Sequence, residues 1–122
     1  MALTFDALRT ANTLRLPQFK NALGHPAHMM ADGSDWSPAD WFVATVGELG
    51  EAANLMKKIR RNDFVTKDIQ AARLKLAKEY ADVVIYLDLM AKQYGIDLGD
   101  AVTLKFNEVS ERIGSSIFLK ES

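Results

Sequence analysis

The stretch Ser37-Pro-Ala-Asp-Trp-Phe-Val-Ala-Thr-Val-Gly-Glu-Leu-Gly-Glu-Ala-Ala-Asn-Leu55 decides how this chain folds. It opens as a helix start: Ser37 can cap, Pro38 suits the first helical position, and Asp40 stands where a capping-box acid belongs. Trp36 and Trp41 occupy the two positions of a hydrophobic staple. Each residue of a helix advances about 100°, so residues three and four apart share a face. Counted from Glu48, the residues Trp41, Ala44, Glu51, Ala52, Leu55 and Ile59 all fall within about 60°. The stripe that should face a core therefore contains two carboxylates.

Working outward, this helix is expected over residues 38–61, with Gly47 and Gly50 each weakening it by about 1 kcal/mol relative to Ala. Those two glycines suit close packing, or close approach of a metal and substrate. A polar link over 62–68 leads to a helix over 69–94, ended by Gly95 as its C′ residue. There Ala72, Leu76, Asp82, Val83, Tyr86 and Met90 gather on one side with Glu79, so a second acidic pair also points inward. Asp97 can cap a last helix over 98–113, which Gly114 closes. On the other side, residues 4–16 read as a first helix, with Phe5, Leu8 and Ala11 or Asn12 at helical spacing and Pro17 as its stop. Residues 17–37 hold Gly24, His25, Pro26 and Gly33 and read as a long loop, interrupted at most by a helical turn. No stretch alternates as a strand. The expected fold is all-α, a four- to five-helix bundle in a single domain over 1–122, with its motifs in 38–113.

The composition excludes several classes of function. At 122 residues the chain has one core's worth of apolar residues, and its net charge of −1 argues against general nucleic-acid binding. No run of 18 apolar residues and no charged-then-apolar leader at Met1 is present, so no membrane role and a cytoplasmic location are expected. With no cysteine, disulfides, thiolate nucleophiles and Cys-ligated zinc are ruled out.

Four inward carboxylates need neutralising. At about 5 Å and an effective dielectric near 20, each pair repels by roughly 3 kcal/mol. Six such pairs rival the whole stability of a small domain, about 5 to 15 kcal/mol. Exposure, or pairing with Lys and Arg, would explain one such pair; two pairs set among Ala, Leu, Val and aromatics are harder to explain so. A cluster of hard oxygen ligands without Cys or a nearby His suits Mg²⁺, with Mn²⁺ able to substitute. Mg²⁺ also binds substrate phosphates, so metal-assisted phosphoryl or nucleotidyl chemistry is expected at Glu48, Glu51, Glu79 and Asp82.

The segments Val46-Gly-Glu-Leu-Gly-Glu-Ala52, Glu79-Tyr-Ala-Asp-Val-Val-Ile-Tyr86, Gly95-Ile-Asp-Leu98 and Lys105-Phe-Asn107, in this order, resemble the MazG-like branch of the all-α nucleoside triphosphate pyrophosphohydrolases. That superfamily also contains the dimeric dUTPases and the dCTP pyrophosphatases, and the resemblance runs over about 41–112. It implies that Glu48, Glu51, Glu79 and Asp82 bind Mg²⁺ and that a nucleoside triphosphate is cleaved to the monophosphate and pyrophosphate, a nucleotide-pool cleansing activity. It further implies phosphate contacts from Lys105 and Arg112. The chain departs from the pattern at Gly47, where many relatives carry a further Glu, and at Val109, where the dCTP pyrophosphatases have Asn; Asn107 is the nearby amide.

Other residues admit two readings. Lys105, Glu108 and Arg112 share a face, which a surface salt-bridge ladder would also produce. Lys57, Lys58, Arg60 and Arg61 suit a solvated helix end. Trp36 and Trp41 serve as staple and core, or as a base-stacking wall, with Trp41 favoured because it shares the acid face. His25 and His28 are polar loop residues or line a base pocket. So short a chain completes a deep site more easily as a homodimer or a tetramer of dimers. The rival from another class is a non-catalytic helical interaction module of the same fold. A carboxylate-bridged di-iron bundle ranks lower, since neither histidine follows a Glu in Glu-x-x-His.

Overall fold

The helix start at Ser37 forms as its residues dictate. In the computed structural model, which describes residues 2–61 and 68–121, Ser37 Oγ accepts from Asp40 N while Ser37 N donates to Asp40 Oδ2 at 2.8 Å. Helix α2 then runs Pro38–Arg60, with the Trp36 and Trp41 rings 5.1 Å apart as the staple requires. The other helices are α1 (Phe5–Arg15), α3 (Ile69–Lys92) and α4 (Leu98–Ile113), with a short 3-10 turn at Leu16–Gln18 where Pro17 stops α1. The fold is an all-α small bundle, with no strand among the described residues. All of the link expected over 62–68 except Asp68 lies outside those residues.

α2 and α3 pair along the two stripes read from the sequence. Trp41, Thr45 and Ala52 are buried on α2, and Ala72 and Leu89 on α3. Contact between Trp41 and Tyr86 at one end, and between Glu51 and Glu79 further along, sets the two helices antiparallel. α3 ends two residues short of the expected boundary. Ile96 N reaches back to Ala91 O around Gly95, which takes a left-handed φ of 65°.

α1 docks on α3 through polar groups. Of Ala11 and Asn12, the inward residue is Asn12, which donates to Asp88 Oδ2 at 3.0 Å. Arg9 pairs with Asp88 Oδ1 at 3.0 Å and donates to Ile96 O at 2.7 Å. Asp88 is 1% exposed and fully engaged, so this clasp fixes α1 over the C-terminal half of α3. α4 leans chiefly on α1, where Phe5 lies against Gly99, and not on the α2–α3 seam.

The loop over 19–37 consists of two tight turns rather than free chain. Asn21 Oδ1 accepts from Leu23 N and His25 N, Asp32 Oδ1 accepts from Ser34 N and Oγ, and Gly24 and Gly33 supply the positive φ each turn needs. Single bridges between Lys20 and Pro26 and between Met29 and Asp35 close them.

Candidate metal centre

Halfway along the α2–α3 seam, Glu48, Glu51 and Glu79 each bring one carboxylate oxygen within 4.8 Å of the others. Successive-turn spacing on α2 supplies the first two, and the antiparallel pairing of α3 supplies the third. Asp82 stands outside this triad but close enough to disfavour charge on both Glu48 and Glu79.

The surroundings oppose full ionisation. Burial, then Glu51, then Asp82 push the Glu48 carboxyl above its ordinary value. Glu79 is raised by burial and by Glu51, with Lys75 partly opposing. Glu79 Oε2 is inaccessible to solvent and has no hydrogen-bond partner. A buried carboxylate oxygen without a donor is rare in a native structure and marks a missing proton or cation. Three hard oxygens at this separation, with an unsatisfied oxygen on one of the same carboxylates, fit a divalent cation of the oxygen-preferring kind.

An aromatic cluster adjoins the acids. His28 stacks on Trp41 with ring centroids 5.0 Å apart and 17° between planes, and meets Trp36 edge-on at 5.0 Å. Tyr86 joins the two groups: its ring lies 6.2 Å from Trp41, and its phenol is held above its ordinary value by burial and by the charges of Glu48, Asp82 and Glu51. Beside the cluster opens a cleft of about 360 Å³ bordered by Pro17, His28, Met29, Trp36, Lys92 and Gln93.

The structure gathers the expected site residues unevenly. Three of the four acids come together, Glu48, Glu51 and Glu79, with Glu51 exposed rather than turned inward as its stripe predicts, and Asp82 stands beside the triad. Trp36 and Trp41 both border the cleft, but Trp41 is 3% exposed with one face under His28, so Trp36 offers the cleft more surface. His25 is exposed at the Asn21 turn and takes no part in the cluster; His28 holds that place. Lys105 pairs with Glu108 at 3.4 Å on the open side of α4, both more than half exposed, and no charge from α4 is among those acting on Glu48 or Glu79. Arg112 shares that helix and is also exposed. Asn107 gives both ends of its amide to Leu119, donating to its carbonyl at 2.9 Å and accepting from its N–H at 2.7 Å. The cation that does act on the cluster is Lys75, one turn before Glu79; i, i+4 spacing was the signal for it.

Fold and site together define a small all-α protein whose acidic cluster could hold a metal ion. No protein-family model, curated protein or solved structure matches the chain. No helix among the described residues is long and apolar enough to cross a membrane.

Proposed function

We propose that this chain is a Mg²⁺-dependent nucleoside triphosphate pyrophosphohydrolase. The observation that carries the proposal is the three-oxygen acidic cluster with its unsatisfied Glu79 Oε2, set beside an aromatic cleft through Tyr86. The order of the acidic motifs, similar to that of the MazG-like enzymes, supports the same reaction. Glu48, Glu51 and Glu79 would hold the ion, and Asp82 adds negative charge beside them. A divalent cation held there would supply charge neutralisation at phosphate oxygens and would lower the pKa of water.

The chain's own residues orient the substrate. The cleft edged by Trp36 and His28 offers aromatic surface to a base, and base–aromatic stacking contributes about 1–3 kcal/mol. Lys75 supplies positive charge next to Glu79. Water attacks the α-phosphorus and the bond to the β-phosphate oxygen breaks, releasing the monophosphate and pyrophosphate. With Gly47 where relatives carry a further acid, the proton of that water must go to one of the four acids or to solvent.

Product analysis with Mg²⁺ over a panel of ordinary and modified NTPs and dNTPs tests the proposal. Monophosphate and pyrophosphate should appear, and Glu48→Gln and Asp82→Asn should each lower the rate by ~100-fold or more. A folded, Mg²⁺-binding protein without turnover on any nucleotide would replace the proposal with the non-catalytic interaction module.

A further inference from the structure

Both helices of the α2–α3 seam carry their residue types in the same order. On α2, steps of three and four residues lead from Glu51 to Asn54 and Lys58, all three exposed. On α3, steps of four, three and four lead from Lys75 through Glu79 and Asp82 to Tyr86. Each line runs along one side of its helix. Because the helices are antiparallel, Trp41 and Tyr86 mark one end of the seam, Lys58 and Lys75 lie toward the other, and the acids stand between.

The two lines open on the same flank. Seen from the start of each helix, Lys58 is turned about 80° from Glu48 and Lys75 about 40° from Glu79, in the same rotational sense. For antiparallel partners the same sense of turn means the same flank. Glu51 and Asp82, each turned about 60° from those glutamates, lie on it too. Lys58 stands about 10 Å beyond Glu51 along the axis, and Lys75 about 6 Å from Glu79. Both lysines are exposed, and among the described residues neither closes a salt bridge. The charge of Lys75 already acts on Glu79.

We propose that Lys58, with Lys75 beside it, receives the terminal phosphates of the substrate, so that the flank binds base, α-phosphate and pyrophosphate in order from the cleft toward the C-terminal end of α2. This deepens the pyrophosphohydrolase proposal and rests on it. A nucleoside triphosphate has the same polarity: an aromatic base, a phosphate to be attacked, then a polyanionic leaving group. An ammonium on a flexible stem suits that leaving group, because it neutralises charge without demanding one geometry. When the bond at the α-phosphorus breaks, its electron pair stays on the bridging oxygen, and the pyrophosphate gains charge that the lysines hold more tightly than in the bound substrate. A nucleoside diphosphate reaches the acids but leaves Lys58 unfilled, so the same pair selects triphosphates.

Inorganic pyrophosphate and a nucleoside monophosphate, each titrated by calorimetry with Mg²⁺, probe the two halves of the flank separately. Lys58→Ala should weaken pyrophosphate ~10-fold or more and leave the monophosphate within about twofold, and Lys75→Ala should do the same. Lys57→Ala removes an equal charge from the other side of α2 and should change neither affinity. In turnover, Lys58→Ala should lower kcat/KM for the triphosphate ~10-fold or more while that for the diphosphate hardly moves. Pyrophosphate affinity indifferent to Lys58, or weakened equally by Lys57→Ala, would overturn this assignment while leaving the reaction intact. Absence of turnover on every nucleotide would instead overturn the pyrophosphohydrolase proposal, and this assignment with it.

Discussion

Glu79 Oε2 is buried without a donor, and its neighbours on the seam are carboxylates. Glu48 and Glu79 both hold their protons more tightly in the folded chain than the ordinary value of 4.5. The sign of the linkage follows: their contribution to stability is fully present below that value and is lost as pH rises through the folded one. Metal-free protein should therefore melt lower at pH 7 than at mildly acidic pH, and Mg²⁺ should remove the difference. Glu79→Gln should raise the metal-free melting temperature at pH 7, flatten its pH dependence and abolish the rise on adding Mg²⁺. Thermal scans in EDTA and in Mg²⁺ between pH 5 and 8 check all three, and a metal-free protein most stable at the alkaline end would contradict the account. The acids were legible because helical spacing alone puts them on an apolar face. The choice of His28 over His25 was not, since it depends on how Asn21 and Gly24 turn the loop.

Helix ends were the most legible part of the elements, because each is written in adjacent residues. Ser37 with Asp40, Asp97 with Asp100, and glycines at 95 and 114 all act locally, and the structure uses each as a cap. Ser37→Ala removes an acceptor from the start of α2, and should cost about 1 kcal/mol in urea or thermal unfolding. An effect much smaller than this would mean that Pro38 and the Trp36–Trp41 staple hold the helix start without the box. The loop was less legible: Asn21 and Asp32 organise it by accepting from backbone two and four residues on, a pattern many solvated loops also contain. Gly47 and Gly50 are different again, since a Cβ at either would meet nothing within 4 Å in the chain, so packing within it gives no reason for them.

Periodicity identifies apolar stripes but does not say what covers them. That is why the stripes by which α2 and α3 pack on each other were readable from sequence, while the placement of α4 against α1 was not. The clasp of Arg9 and Asn12 on Asp88 sets that placement, and it was invisible because no spacing rule joins residues so far apart in the chain. Arg9→Ala would leave a buried carboxylate with Asn12 as its remaining side-chain donor. A loss of about 2–3 kcal/mol is expected, together with loosening of α1 and α4, and hydrogen exchange on both helices would check it. Unchanged protection of α4 would show that α4 is held by something other than α1.

Both tryptophans of the chain lie 5.0 Å from the ring of His28, and burial holds that imidazole below its ordinary value of 6.5. Their combined emission is thus an optical signal from the mouth of the cleft alone. It should stay constant through neutral pH, dim only when acid charges the imidazole, and respond to anything entering the cleft without a label being attached. An ion settling on the acids should reach that signal only through Tyr86, so light from two side chains can separate occupancy of one half of the site from occupancy of the other.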